Sequence, residues 1–142
     1  MLLQKFMNSW EETTQVKGKW YADIKNGIGR PWFTKGQTFT NRKFYTTICR
    51  LRIGHCRFNA HLHRINIISS PTCNFCNSET QTLHHIFFDC NNFSVQRHIL
   101  MDCLSNIYKN AEDVPRSLQQ LLKNIQCYKP LYEFILTTVE DI

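Results

Sequence analysis

Between Cys73 and Cys90 the chain reads CNFCNSETQTLHHIFFDC, which sets Cys73-x2-Cys76-x8-His85-x4-Cys90 inside eighteen residues. Thiolate sulfurs and an imidazole nitrogen are donors that zinc takes in a tetrahedron, and a Cys-x2-Cys turn delivers two of them from one tight loop. A His early in the following helix and a Cys at its end close the set. His84 is the neighbouring alternative, but adjacent helical residues point about 100° apart, so only one of the pair ligates. We assign His85, which leaves His84 facing solvent or a phosphate. Four protein ligands leave no open position for water, so the expected Zn2+ is structural rather than catalytic.

Two other chemistries compete for the same residues. A redox pair asks for Cys-x-x-Cys at a helix N-terminus in a βαβ setting. The preceding INIISSPTC offers at best a short strand, and nothing afterwards builds a parallel sheet. Coincidence, or a decayed site, must account for four ligand-type residues in order. The seven cysteines are an odd number with no secretory signal, which argues against a disulfide framework. Cys49, Cys56, Cys103 and Cys127 have no ligand-like spacing and read as small buried hydrophobes. A second metal set drawn from Cys49, His55, Cys56, His61 and His63 fits no familiar pattern.

A second chemistry lies upstream. Arg42, Lys43, Arg50, Arg52, Arg57 and Arg64 follow one another with no acid among them, and His55, His61 and His63 are interleaved. Arginine suits planar contacts to phosphate, and a merely solvated face usually mixes signs. These residues, with His55, form the expected nucleic-acid-binding face. Phe44, Tyr45 and Phe58 lie among them and either stack on unpaired bases or belong to the core, the core being favoured for Phe44 and Phe58. Before Cys73 there are twelve Lys and Arg against Glu11, Glu12 and Asp23; from Cys73 onward there are five against eight acids. The net +6 is thus a +9 half joined to a −3 half, which suggests a directed field.

The elements that hold these groups are mainly helical. Residues 1–39 form a Trp-rich lead-in punctuated by Gly and Pro, a short helix followed by loops. Phe44, Ile48 and Leu51 at i, i+4 and i+7 predict a helix capped by Thr40 or Asn41 and ending near Gly54. NAHLHRI predicts a second, short helix. TLHHIFFDC and SVQRHILMDCLSNIY predict two more, separated at Asn91-Asn92. Asp113 is expected to cap PRSLQQLLKNI with Pro115 in its first turn, and Pro130 to open LYEFILTTV. The expected organisation is the lead-in, basic helices with the knuckle over 40–97, and C-terminal helices over 98–142, packed as one small helical domain. No run approaches the ~18–20 apolar residues of a membrane span, and MLLQKFMNSWEETT lacks the parts of a signal peptide. The expected compartment is intracellular, nucleus or cytoplasm.

KGKWY and PWF, then NRKFYTTICRLRIGHCRFNAHLHRI, then SSPTCNFC…ETQTLHHIFFDC and Arg97 together resemble one family region. It is the carboxy-terminal segment of the polyprotein of non-LTR (LINE-type) retrotransposons, particularly Jockey-like insect elements, where it follows the reverse transcriptase and ribonuclease H domains. The resemblance runs from about Trp10 to Arg97 and places the family's Cys-Cys-His-Cys knuckle on Cys73, Cys76, His85 and Cys90. It places the family's RLR-x-GH stretch on Arg50, Leu51, Arg52, Gly54 and His55. It implies engagement of RNA or target DNA, with the upstream polymerase domains of a parent element as a possible protein partner. A start at Met near the beginning of the segment fits a shortened or domesticated copy.

Polymerase and ribonuclease H chemistry both need clustered carboxylates holding two divalent metals. No acidic pair here resembles either set, so the expectation is a binding module and not an enzyme. The rival expectation is a protein-docking or structural remnant, with Leu121, Leu122, Phe134 and Ile135 as an exposed apolar face. A thiol oxidoreductase is the third.

Overall fold

Why α3 begins and ends where it does explains most of the architecture. The computed structural model describes residues 1–25, 29–34, 41–139 and 142. α1 spans Leu2–Val16, α2 Lys19–Ile24, α3 Arg42–Ile53 and α4 Asn59–Arg64. Then come α5 (Ser94–Tyr108), α6 (Leu118–Leu121) and α7 (Tyr128–Thr138), joined by short 3-10 turns. At the start of α3 the Asn41 side chain accepts from the Lys43 N–H at 2.9 Å, satisfying a donor the helix cannot. Thr40, the alternative cap, lies outside the described residues. At the other end Gly54 takes φ +69, the left-handed turn that releases the chain from a helix. The Trp20 indole lies against it: a Cβ on Gly54 would come within 3.0 Å of the Trp20 ring. Its Nε1–H donates to the Leu51 carbonyl at 2.9 Å, so α2 caps the last turn of α3.

One set of buried side chains runs from Ile24 through Phe44, Ile48 and Leu51 to Leu104, Leu131 and Ile135, and includes Cys73, Phe87 and Cys90 of the knuckle. α5 packs on α7, α3 on α7, and α2 on both α3 and α6. Trp32 fills the gap between α3 and α7, edge-on to Tyr128 at 5.0 Å and stacked on Tyr45 at 5.5 Å. Phe44 and Phe58 are core residues, as favoured from their spacing. α1 buries none of its side chains, although Trp10 meets Tyr21 edge-on at 6.0 Å. None of the described helices is long and apolar enough to cross a membrane.

Three expectations are corrected. Asp113 does not cap a helix: it accepts from the Asn110 amide, ends a 3-10 turn, and α6 starts only at Leu118, beyond Pro115. Leu121, Leu122, Phe134 and Ile135 present no exposed face, because all four are buried between α5, α6 and α7. The cysteines outside the knuckle divide, with Cys56 and Cys127 buried but Cys49 exposed.

Candidate metal centre

Residues 71–81 fold back on themselves as a narrow loop. The Gln81 N–H donates to the Pro71 carbonyl at 2.8 Å, Thr72 bridges Thr80, and the Cys73 N–H donates to the Glu79 carbonyl at 2.7 Å. At the tip the Asn77 N–H reaches the Cys73 carbonyl at 2.8 Å, with Asn77 itself at φ +55. This turn brings Cys73 and Cys76 to one side. Thr82 then opens the following helical turn, its Oγ1 accepting from the His85 N–H at 3.0 Å.

His85 and Cys90 are five residues apart, and an α-helix would point them about 140° away from each other. The chain solves this with a π turn over His85–Asp89, closed by the Cys90 N–H on the His85 carbonyl at 2.7 Å. One extra residue in the turn carries Cys90 round to the side of His85. Single π turns of this kind recur at functional sites. Leu83 and His84 are α-helical, so the helix expected over TLHHIFFDC is present with a widened second half.

The four donors converge. Cys73 Sγ, Cys76 Sγ, a ring nitrogen of His85 and Cys90 Sγ all lie within 4.8 Å of one another. Cys73 and Cys90 sulfurs are 4.0 Å apart and Cys76 Sγ is 3.3 Å from His85 Nε2. Bonds of ~2.3 Å to sulfur and ~2.0 Å to nitrogen in a tetrahedron set S···S near ~3.8 Å and S···N near ~3.5 Å. The set is therefore open enough for an ion and too open for a disulfide, which needs ~2.05 Å. Cys73, Cys90 and His85 are buried and Cys76 is half-buried. These four residues can hold a metal ion.

The surroundings favour thiolate at the outer cysteine. The Ser78 hydroxyl donates to Cys76 Sγ at 3.3 Å, and with the Ser78 and Glu79 backbone N–H groups it lowers the Cys76 pKa to about 5. Burial pushes Cys90 up to about 11, against a hydrogen bond from the Asn92 backbone. An ion nearby reverses that penalty, since a coordinated thiol is deprotonated outright. His85 Nδ1, the nitrogen turned away from the sulfurs, is buried without a hydrogen bond, and Glu79 Oε2 stands 3.5 Å from it. A carboxylate behind a ligating imidazole is the usual means of fixing its tautomer. His84 is exposed and pairs with Asp89 at 2.9 Å, outside the cluster, so the choice between the two histidines falls on His85.

The basic residues are not one face. Arg42 and Lys43 are exposed at the start of α3, whereas His55, Arg57 and Arg64 are exposed beyond its end, ~18 Å of helix away. Arg50 is half-buried and donates to the carbonyl of Ile142. Arg52 does not belong to a solvated phosphate-binding face: it is 7% exposed, and its Nη1 donates to the Leu122 carbonyl at 3.0 Å and to the Tyr128 hydroxyl. Its guanidinium lies over the Tyr21 and Tyr128 rings at 5.5 and 5.9 Å. The side chains that do come together are His55, His61 and Arg64. The two imidazoles stack at 5.1 Å, and Arg64 Nη2 lies 2.9 Å from His61 Nδ1.

Sequence reasoning missed what fastens this cluster to the metal site. Asn59, at the start of α4, donates from its side chain to the Thr72 carbonyl at 2.5 Å and to Asn74 Oδ1 at 2.9 Å. The Asn59 and Ala60 N–H groups donate to the Gln81 side chain and carbonyl at 2.9 and 3.2 Å. Arg97 clamps the far side, Nε on the Phe87 carbonyl at 3.0 Å and Nη2 on the Cys90 carbonyl at 2.5 Å. Gln81 is a buried polar residue, 4% exposed, between two threonines, but nothing in its spacing marks it out. No protein-family model, curated protein or solved structure matches the chain.

Proposed function

We propose that the chain is a nucleic-acid-binding module with no catalytic chemistry of its own, folded around a structural Zn2+ held by Cys73, Cys76, His85 and Cys90. The observation that carries the reading is the join between the two parts: α4, which bears the exposed Arg64 and follows the exposed Arg57, is hydrogen-bonded at its first residue, Asn59, to the loop that carries the buried tetrad. Three sulfurs and one imidazole are a donor set that suits zinc over magnesium or calcium. When bound, the ion would replace the apolar core that residues 71–81 lack. Arg57 and Arg64, together with Arg42 and Lys43 at the other end of α3, supply phosphate contacts that carry no sequence preference. RNA or single-stranded DNA is the expected partner, and the resemblance to the carboxy-terminal segment of non-LTR retrotransposon polyproteins points the same way.

A second reading has its own observation. Val95 and Ile99 are 68% and 60% exposed and border a groove of about 490 Å³ between α5 and α7. Such a patch suits a docked protein surface, as in a remnant that once packed against an upstream domain.

The test is anisotropy of a labelled single-stranded RNA, titrated with zinc-loaded protein at low and high salt and repeated with His85→Ala. Binding that falls steeply with salt and is lost with His85 supports the module. A folded, zinc-loaded protein that binds neither RNA nor DNA at low salt refutes it and leaves the docking reading.

A further inference from the structure

Beside α3, Tyr21, Lys25, Trp32, Phe33, Cys49 and Arg52 line a cleft of about 300 Å³. That volume is at the lower end of small-ligand sites. Three of its lining residues, Tyr21, Trp32 and Phe33, are aromatic. Phe33 stands at the mouth, 50% exposed and edge-on to Trp32 at 5.8 Å. Lys25 lies at the rim, its Nζ donating to the Gly29 carbonyl at 3.0 Å.

The floor is unusual because it carries Arg52, 7% exposed, with three of its five N–H donors uncommitted among the described residues. Among the described residues both hydrogen bonds of Arg52 leave from Nη1, toward Leu122 and Tyr128. The Nε–H and Nη2–H pair makes no hydrogen bond there. A guanidinium presents that pair as a parallel fork, matched to two acceptors side by side. No carboxylate pairs with Arg52 among the described residues, so the fork is left to solvent or to whatever fills the cleft.

We infer that this cleft takes one unpaired guanine base of a single strand, its O6 and N7 on the Nε–Nη2 fork of Arg52 and its face against Phe33. Guanine presents two adjacent acceptors on one edge of a purine; adenine interrupts them with an amino donor, uracil offers no such pair, and cytosine, whose O2 and N3 are also adjacent, brings only a single ring to stack on Phe33. The aromatic wall supplies stacking that every base shares and that a two-ring base fills best, so the fork and the stacking area together set the preference. Lys25 at the rim lies where the strand's phosphates would pass. Arg52 thus acts inside the cleft and not on the solvated surface. The inference rests on the nucleic-acid reading and adds to it a base preference that phosphate contacts cannot supply.

Two RNA pentamers of equal charge, UUGUU and UUUUU, isolate the base at fixed low salt, followed by anisotropy. Arg52→Gln alone would be ambiguous, since Arg52 also ties α3 to α7 and its loss can unfold the chain. Phe33→Ala, at an exposed position, is the informative variant. The expected result is roughly tenfold tighter binding of UUGUU, with Phe33→Ala weakening both and Arg52→Lys, which keeps the charge without the fork, abolishing the difference. Equal affinities for the two pentamers overturn the cleft and leave the phosphate reading standing. A guanine preference untouched by both variants likewise overturns it. If neither pentamer binds, the nucleic-acid reading fails, and guanosine 5′-monophosphate titrated against tryptophan fluorescence decides the cleft: quenching lost in Phe33→Ala retains it as a purine site, and no quenching overturns it.

Discussion

Replacing Gly54 by alanine tests whether α3 is held as described. Gly54 sits at φ +69, where an L side chain costs about 1–2 kcal/mol. The added Cβ would also lie 3.0, 3.1 and 3.2 Å from three atoms of the Trp20 indole, so the ring must move. Moving it loosens the 2.9 Å bond from Trp20 Nε1–H to the Leu51 carbonyl, worth about 0.5–1.5 kcal/mol. Together these give a loss of about 1.5–3.5 kcal/mol. At roughly 3–4 °C per kcal/mol for a chain of this length, the Tm should fall by about 5–14 °C. Circular dichroism melts at saturating zinc measure it, with Gly54→Asn as the control, because asparagine tolerates the left-handed region better. Pairing Gly54→Ala with Trp20→Ala separates the terms: the steric part should vanish in the double variant while the backbone part stays. A Tm within about 2 °C of the parent for Gly54→Ala would refute both the left-handed cap and the indole contact.

Glu79→Gln removes the carboxylate behind His85 Nδ1 and should weaken zinc about tenfold by competitive chelator titration, with the fold unchanged at saturating metal. In metal-stripped protein at pH 7, alkylation followed by peptide mass mapping should label Cys76, with its pKa near 5, well before Cys90, near 11, and zinc should protect both. The double variant Arg57→Ala with Arg64→Ala should weaken RNA binding alike for all sequences and reduce the salt slope by roughly two contacts; an unchanged slope places the phosphates elsewhere.

How far the sequence could be read depends on the range of the interaction. Helices α3, α4, α5 and α7 follow from local periodicity, and the ends of α3 from Asn41 and Gly54, because capping and left-handed turns are settled within a few residues. The tetrad was legible for the same reason. The π turn was derivable too: five residues between His85 and Cys90 cannot share a side of an α-helix, so joint ligation already required a wider turn. Arg52 shows the limit. It lies eight residues after Phe44, on the same stripe as Ile48, which hints at burial. What makes burial tolerable is the Leu122 carbonyl and the Tyr128 hydroxyl, seventy and seventy-six residues away. Asp113 failed as a cap because the Asn110 amide claims its carboxylate first.

The widened turn between His85 and Cys90 has a mechanical consequence for the middle of the molecule. It sits directly over the core: Ile86 and Phe87 are fully buried, and Phe87 stacks on Phe134 of α7 at 4.8 Å. A π turn holds one residue more than an α turn, and an unrestrained segment prefers the α form. Relaxing to it would rotate everything after the turn by about 100° and withdraw Phe87 or its successors from their seats. An ion held by the four donors would thus work with the ring stack as a ratchet and its pawl, each keeping the other from slipping one notch along the chain.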